Sequence, residues 1–207
     1  MDTTANIIDY VISELSPKRL THTFSVADEC RMLAGIYGFS EEKKDELYTA
    51  ALLHDITKEK PLEFHLELLK KHGVDLPEDE LDSIPALHAR TGAIMARELF
   101  GVSDAVFSAI DAHTTGKENM SFCDKILFLC DYIEPKRTHG ACISLRKYFY
   151  DVIGRMPPKE ALDRAVLRSM DGTLTHLIGE NRLIALRTVK ARNHILKIID
   201  GKEKSGK

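Results

Sequence analysis

Apolar residues recur at three- and four-residue intervals along most of this chain, and no alternating run of β-branched residues is bounded by turns. That pattern restricts the fold to packed helices. Ser16-Pro17 is an N-cap followed by proline at the first helical position, and past it His22, Val26 and Leu33 share one helical face. Gly35 and Gly38 weaken the end of this helix. Ser40 caps a second, with Glu41 and Glu42 at its positive end and Leu47, Ala50, Ala51 and His54 as its stripe. Pro61 opens a third over residues 62–71, closed by His72-Gly73. Pro77 and Pro85 bracket a loop and a short acidic turn. Further helices are expected from about Leu87 to Phe100, from the Ser103 cap to His113, and over 122–133, closed by Pro135. Pro157-Pro158 opens another through Ile178. The last is expected from about Arg182 to Ile199, leaving 201–207 as a disordered tail. The expected fold class is all-α: a compact helical bundle over 1–150, with C-terminal helices over 151–200 packed as an extension on the same domain.

With 207 residues, 43% of them hydrophobic, the chain can bury one sizeable core. A net charge of −3 argues against a nucleic-acid partner, which needs a broad basic field, while leaving room for a local basic pocket. No apolar run approaches the roughly 20 residues of a membrane helix, so no membrane partner is expected. The acidic start MDTTANIIDYVISEL lacks the basic n-region of a signal peptide. Cys30, Cys123, Cys130 and Cys142 form no CxxC pair and are expected as reduced, mostly buried thiols of a cytoplasmic protein.

Of nine histidines, His22, His54, His88 and His113 sit on, or at the ends of, apolar helical faces. Asp55 follows His54 directly, and Asp131 interrupts the apolar run ILFLCDYI. A buried aspartate there must be satisfied, either by a metal ion or by a hydrogen-bond network. One His-Asp dipeptide is within what chance delivers. The weight lies on the ordered set: His, then His-Asp, then two more His, then Asp, each on a different expected helix. Packed helices can bring such side chains to one point. Imidazole with carboxylate suits iron, manganese, zinc or nickel, and no thiolate is placed to compete. Such an ion lowers the pKa of bound water from 15.7 to about 7, and two ions can clamp the attacking and leaving oxygens of a phosphoryl displacement.

At these residues the sequence resembles the HD-domain superfamily of metal-dependent phosphohydrolases, whose ordered pattern H…HD…D matches His22, His54-Asp55 and Asp131. The words RLTHTFSVA, ALLHDITKEKP, LHARTGA, AHTTGK, LFLCDYIEPKR and VKARN are similar to the YqeK family, from about Arg19 to Arg137 and again in the C-terminal helices. That resemblance implies an HD-domain helical bundle and symmetrical hydrolysis of diadenosine tetraphosphate to two ADP. It implies one metal on His22, His54, Asp55 and Asp131, and a second, bridged by Asp55, with His88 and His113. Iron is expected, with manganese, cobalt, nickel or zinc able to substitute. The chain departs from the family in the residues after its HD pair and at Lys117, where arginine is frequent; neither touches the six ligands.

Asp55 is expected to bridge the metals and orient the nucleophile, and Lys58, three residues on, to neutralise phosphoryl charge. Arg19 and Arg137 suit the far phosphates or a surface salt bridge. Thr114, Thr115, Gly116 and Lys117 suit a polyphosphate edge, although a plain C-cap explains the glycine equally well. His139 is a weaker phosphate candidate, and His65, His72, His176 and His194 are expected in packing or at the surface. Alternatives to the dinucleotide hydrolase are a mononucleotide phosphohydrolase, either a nucleotidase or a dNTPase, and a non-hydrolytic nucleotide sensor. A homodimer is a further expectation.

Overall fold

The computed structural model describes residues 3–77, 80 and 84–205. Ten helices and no strand are found among the described residues: α1 (Thr3–Glu14), α2 (Pro17–Ile36), α3 (Glu41–Leu53), α4 (Leu62–Lys71), α5 (Ile84–Phe100), α6 (Asp104–Ala112), α7 (Phe122–Ile133), α8 (Gly140–Ile153), α9 (Pro158–Gly179) and α10 (Leu186–Ser205). The expected caps form. Ser16, Ser40, Ser103 and Ser121 each accept a backbone N–H of the first turn, and Ser121 with Asp124 closes a capping box on α7. Gly38 ends α2 in the left-handed region at φ 65°.

Helix α7 is apolar nearly all round, so it must be buried on more than one side. It packs against α2, α3, α6, α8 and α9. Around it α2 lies on α3, α5 on α6, and α9 on α8 and α10. One continuous apolar cluster runs from Ile7 to Ile199 and includes Phe149, Leu162 and Ile195 beside Leu33, Leu53 and Leu127. The helices after residue 150 therefore share the core of those before it.

Two helices lie where the periodicity was not decisive. In α1 the buried residues Ile7 and Val11, with Leu15 just beyond, form a stripe of only one residue per turn. In α8, Cys142, Leu145, Phe149 and Val152 are buried, but Arg146, Lys147 and Asp151 interleave with them and the N-cap is His139, a poor signal. The last helix begins at Leu186 and continues to Ser205, into the segment expected as a tail; adding residues to an existing helix is cheap compared with nucleating one. The acidic turn expected between Pro77 and Pro85 lies largely outside the described residues. No helix is long and apolar enough to cross a membrane among the described residues.

Candidate metal centre

Five elements deliver the six expected ligands to one point. His22 is on the second turn of α2, His54 caps the C-terminus of α3 with Asp55 next to it, His88 is on α5, His113 caps the C-terminus of α6, and Asp131 is near the end of α7. The turn after α3 is tight, with Lys58 N–H donating to the Asp55 carbonyl at 2.9 Å. Two neighbours hold it. Ser16 donates from backbone and hydroxyl to the Glu59 carboxylate at 3.0 and 2.6 Å, tying the start of α2 to the turn. Gly92 of α5 packs against the turn, where the position of a Cβ would be in van der Waals contact with the His54 carbonyl oxygen at 3.4 Å.

Asp55 divides its two oxygens. Oδ2 lies 3.3 Å from His54 Nε2 and 3.7 Å from His22 Nε2. Oδ1 lies 3.1 Å from His88 Nε2 and 3.6 Å from His113 Nε2. Asp131 Oδ1 completes the first side at 2.9 Å from His22 Nε2 and 3.9 Å from His54 Nε2. Donor atoms of His22, His54 and Asp55, of His54, His113 and Asp131, and of Asp55, His88 and His113 each fall within 4.8 Å of one another.

The chemistry of these donors fits divalent cations. His54 Nδ1 donates to the Ala51 carbonyl and His113 Nδ1 to the Ile110 carbonyl, both at 2.7 Å. A carbonyl only accepts, so each Nε2 presents a bare lone pair to the cluster. His22 Nδ1 faces the buried Glu134 carboxylate at 3.1 Å with the same consequence. The buried Nε2 atoms of His22 and His54, and Asp55 Oδ1, have no hydrogen-bond partner. Buried atoms of this kind are costly unless something satisfies them, and a cation does. Burial pushes His88 down to about 3, with Lys58 and His113 adding to the fall, so it is neutral and ready to ligate. Burial works against a charged Asp55, but His54, His113 and His88 outweigh it and hold the carboxyl well below its usual range. Asp131 is held low in the same way by His22 and Arg137.

Three expected cations ring the cluster. Arg19 donates to Asp55 Oδ2 and Arg137 to Asp131 Oδ1, each at 2.7 Å. Lys58 Nζ is 3.0 Å from His88 Nε2 and 3.8 Å from Asp55 Oδ1. Thr114 Oγ1 also joins, 3.0 Å from His113 Nε2 and 3.2 Å from His88 Nε2. The rest of the expected phosphate edge does not. Thr115 is buried and donates to the Gly116 carbonyl, and Lys117 Nζ is held by Ser108 and lies 3.4 Å from Asp124. Gly116 serves the helix end at φ 67°. His65, expected in packing or at the surface, is fully buried, its Nδ1 2.8 Å from Thr91 Oγ1.

Sequence reasoning missed Glu134 and Arg146. Arg146 of α8 donates to the carbonyls of Ile133, Glu134 and Arg137, and so fixes the end of α7 beneath Asp131 and Glu134. Glu134 lies within the quoted word DYIEPKR; its signal was a carboxylate at the mouth of an apolar helix.

Residues 19–136 match the HD domain family. The chain belongs to the HD-domain family. Its HD pair is His54-Asp55, and the matched span contains all six clustered side chains. A symmetrical bis(5'-nucleosyl)-tetraphosphatase of Halalkalibacterium halodurans is 34% identical over 194 residues, 91% of this chain and 95% of that protein. The protein of the same description from Bacillus subtilis is 30% identical over 83% of this chain and 86% of its own length. A crystal structure of an HD superfamily hydrolase from Clostridium acetobutylicum, described as involved in NAD metabolism, superposes with a TM-score of 0.83 at 32% identity, covering 94% of this chain and 97% of that one. The chain is thus an HD-domain phosphohydrolase with a divalent-metal site.

Proposed function

We propose that this enzyme hydrolyses diadenosine tetraphosphate and related dinucleoside tetraphosphates at the central anhydride, releasing two nucleoside diphosphates. The observation that carries the reading is the split carboxylate of Asp55, with one oxygen toward His22 and His54 and the other toward His88 and His113, under the cations Arg19, Lys58 and Arg137. The likeness to the two tetraphosphatases over most of the chain supports it.

His22, His54, Asp55 and Asp131 would hold one divalent ion, and Asp55, His88 and His113 a second; iron is proposed, with manganese, cobalt, nickel or zinc suited to the same donors. When bound, such ions supply Lewis acidity and a water acidic enough to attack near neutral pH. The chain's own residues do the rest. Asp55 is buried, is kept ionised, and fixes the direction of approach at the cluster. The leaving group of an anhydride is a weakly basic phosphate, so charge neutralisation matters more than protonation. Lys58, beside Asp55 and His88, meets charge on the phosphoryl oxygens. Arg19 and Arg137 bind and orient the flanking phosphates, and Thr114 offers a hydroxyl at the His88–His113 edge. All four cysteines are free, which suits a cytoplasmic enzyme.

The test is anaerobic purification, metal quantification and incubation with diadenosine tetraphosphate beside Asp55→Ala. ADP as sole product, with metal and turnover both lost in Asp55→Ala, is the expected result. AMP plus ATP would refute the position of the cut, and an active Asp55→Ala enzyme would refute the role of Asp55.

A further inference from the structure

His88 is the odd member of the cluster. His22, His54 and His113 each have an acceptor behind Nδ1, whereas His88 Nδ1 is buried with no hydrogen-bond partner. Its backbone is held instead. The Thr57 hydroxyl donates to the His88 carbonyl at 2.9 Å, and Thr57 stands two residues past Asp55, in the turn after α3. Thr57 Oγ1 lies 3.0 Å from Oγ1 of Thr91, which is three residues past His88 on α5. Thr91 Oγ1 in turn lies 2.8 Å from Nδ1 of His65, in the first turn of α4. One chain of hydrogen bonds thus runs from α4 through α5 to the turn that carries Asp55.

His65, Thr91 and Thr57 are all fully buried. Around them the seam between α4 and α5 is apolar, with Leu68, Leu69, Leu87 and Ile94 in one cluster. Apolar side chains of the same shape fill such a seam at little cost in stability. A satisfied polar chain adds what they cannot, because its bonds are directional and hold one register of the elements they join. Burial lowers the pKa of His65, against a hydrogen bond to the Lys60 backbone, so the imidazole is neutral and brings no charge behind the cluster. The register matters at one distance. Asp55 Oδ1 and His88 Nε2 face each other across the junction at 3.1 Å, and a slip of α5 against the turn changes that span. It moves no other member of the cluster, because His22, His54, Asp55, His113 and Asp131 lie on or next to α2, α3, α6 and α7. We propose that Thr57, Thr91 and His65 are positioning residues for the second ion: they lock α5 to the turn after α3 and so set the span between Asp55 and His88. The assignment rests on the two-ion reading of the centre.

The experiment strips the protein with a chelator and titrates it anaerobically with manganese(II), reading free and bound ion by electron paramagnetic resonance. It compares the wild type with Thr57→Val, which keeps the branched shape and removes the hydroxyl, with Thr57→Ser, which restores the hydroxyl, and with His65→Leu. His113→Ala supplies the spectrum of a centre that has lost the second ion, and circular dichroism verifies the fold of each. Two ions are expected in the wild type. In Thr57→Val the first is expected at wild-type affinity and the second weakened by roughly 10–100-fold, with a one-ion spectrum like that of His113→Ala. His65→Leu is expected to weaken the second ion too, and Thr57→Ser to bind both as the wild type does. Both ions at wild-type affinity in Thr57→Val and His65→Leu overturn the positioning role, as does an equal weakening of the two ions, which is what lost packing alone produces. Thr57→Ser no better than Thr57→Val also overturns it. Where Thr57→Val does not fold, His65→Leu against the wild type decides on the same terms. A wild type that takes up a single ion overturns the two-ion reading, and the positioning role with it; a two-ion wild type matched by its variants overturns the positioning role alone.

Discussion

Three of the four cluster histidines, His22, His54 and His113, turn Nε2 to the cluster because Nδ1 has a fixed acceptor behind it. For His54 and His113 the helix itself does this, because a histidine at the C-terminal end of a helix can donate Nδ1–H to the carbonyl three residues back. His22 lies in the second turn of α2 and depends on Glu134 instead. A carboxylate behind a ligating imidazole fixes its tautomer and raises its basicity, and removing such a partner lowers metal affinity by roughly 10–100-fold. Glu134→Ala is therefore expected to weaken the metal by that factor with the helical content unchanged, as measured by metal competition and circular dichroism. An affinity equal to wild type would show that His22 is oriented without it. The six clustered residues were legible in the sequence because His and Asp are rare on apolar helix faces and here came in a recognisable order. Glu134 was not, because a glutamate at a helix end is ordinarily a solvated one, and only the fold shows it buried against His22. The same limit applies to Lys117: a lysine after Gly116 reads as a phosphate hand, yet its partners are Ser108 and Asp124.

Helices were legible where caps and a wide apolar stripe coincided, as in α2, α3, α6 and α7. They were not where the stripe was thin or crossed by charge, as in α1 and α8, whose helicity comes from packing on α3 and on α7 and α9. The turn after α6 is where an element boundary sets the site. Gly116 holds a left-handed φ of 67°, and a Cβ there would stand 2.5 Å from Met170 Cε and 3.1 Å from Ala191 Cβ. The backbone conformation alone costs an alanine roughly 1–2 kcal/mol, and the crowding from α9 and α10 adds to it. Gly116→Ala is expected to lower stability by about 2–3 kcal/mol and, by shifting Thr114 against His88 and His113, to lower turnover as well. Denaturant unfolding with activity measured on the folded fraction checks both. A stability equal to wild type would mean that the turn relaxes into another conformation and that the glycine has no structural role.

The HD-domain match ends at residue 136, yet the helices beyond it are bound into the metal centre rather than appended to it. Arg146 of α8 secures the carbonyls beneath Asp131, Lys125 of α7 pairs with Asp163 of α9 at 2.7 Å, and Arg187 of α10 reaches the Asp111 carboxylate two residues before His113. Asp111 also accepts from Arg90 at 2.8 Å, two residues past His88, so one carboxylate links the C-terminal helix to the helices that place His88 and His113. Burial pushes the Asp111 carboxyl up, but the hydrogen bond and charge of Arg187, with the charge of Arg90, outweigh it and hold it below the usual range. A carboxyl whose pKa is lower in the folded chain stabilises the fold above its unfolded pKa and loses that contribution as pH falls through the folded one. Arg187→Ala is expected to cost roughly 2 kcal/mol at pH 7, a partly buried pair being worth less than a fully buried one. That corresponds to a Tm lower by about 4–8 °C for a chain of this length. The difference from wild type should shrink as pH drops into the acid range where Asp111 takes up its proton, and thermal unfolding of both proteins between neutral and acid pH measures it. A constant difference across that range would mean that Arg187 contributes by packing alone. One that vanishes in acid would show that the charge on Asp111 is what couples the C-terminal helix to the helices that place His88 and His113.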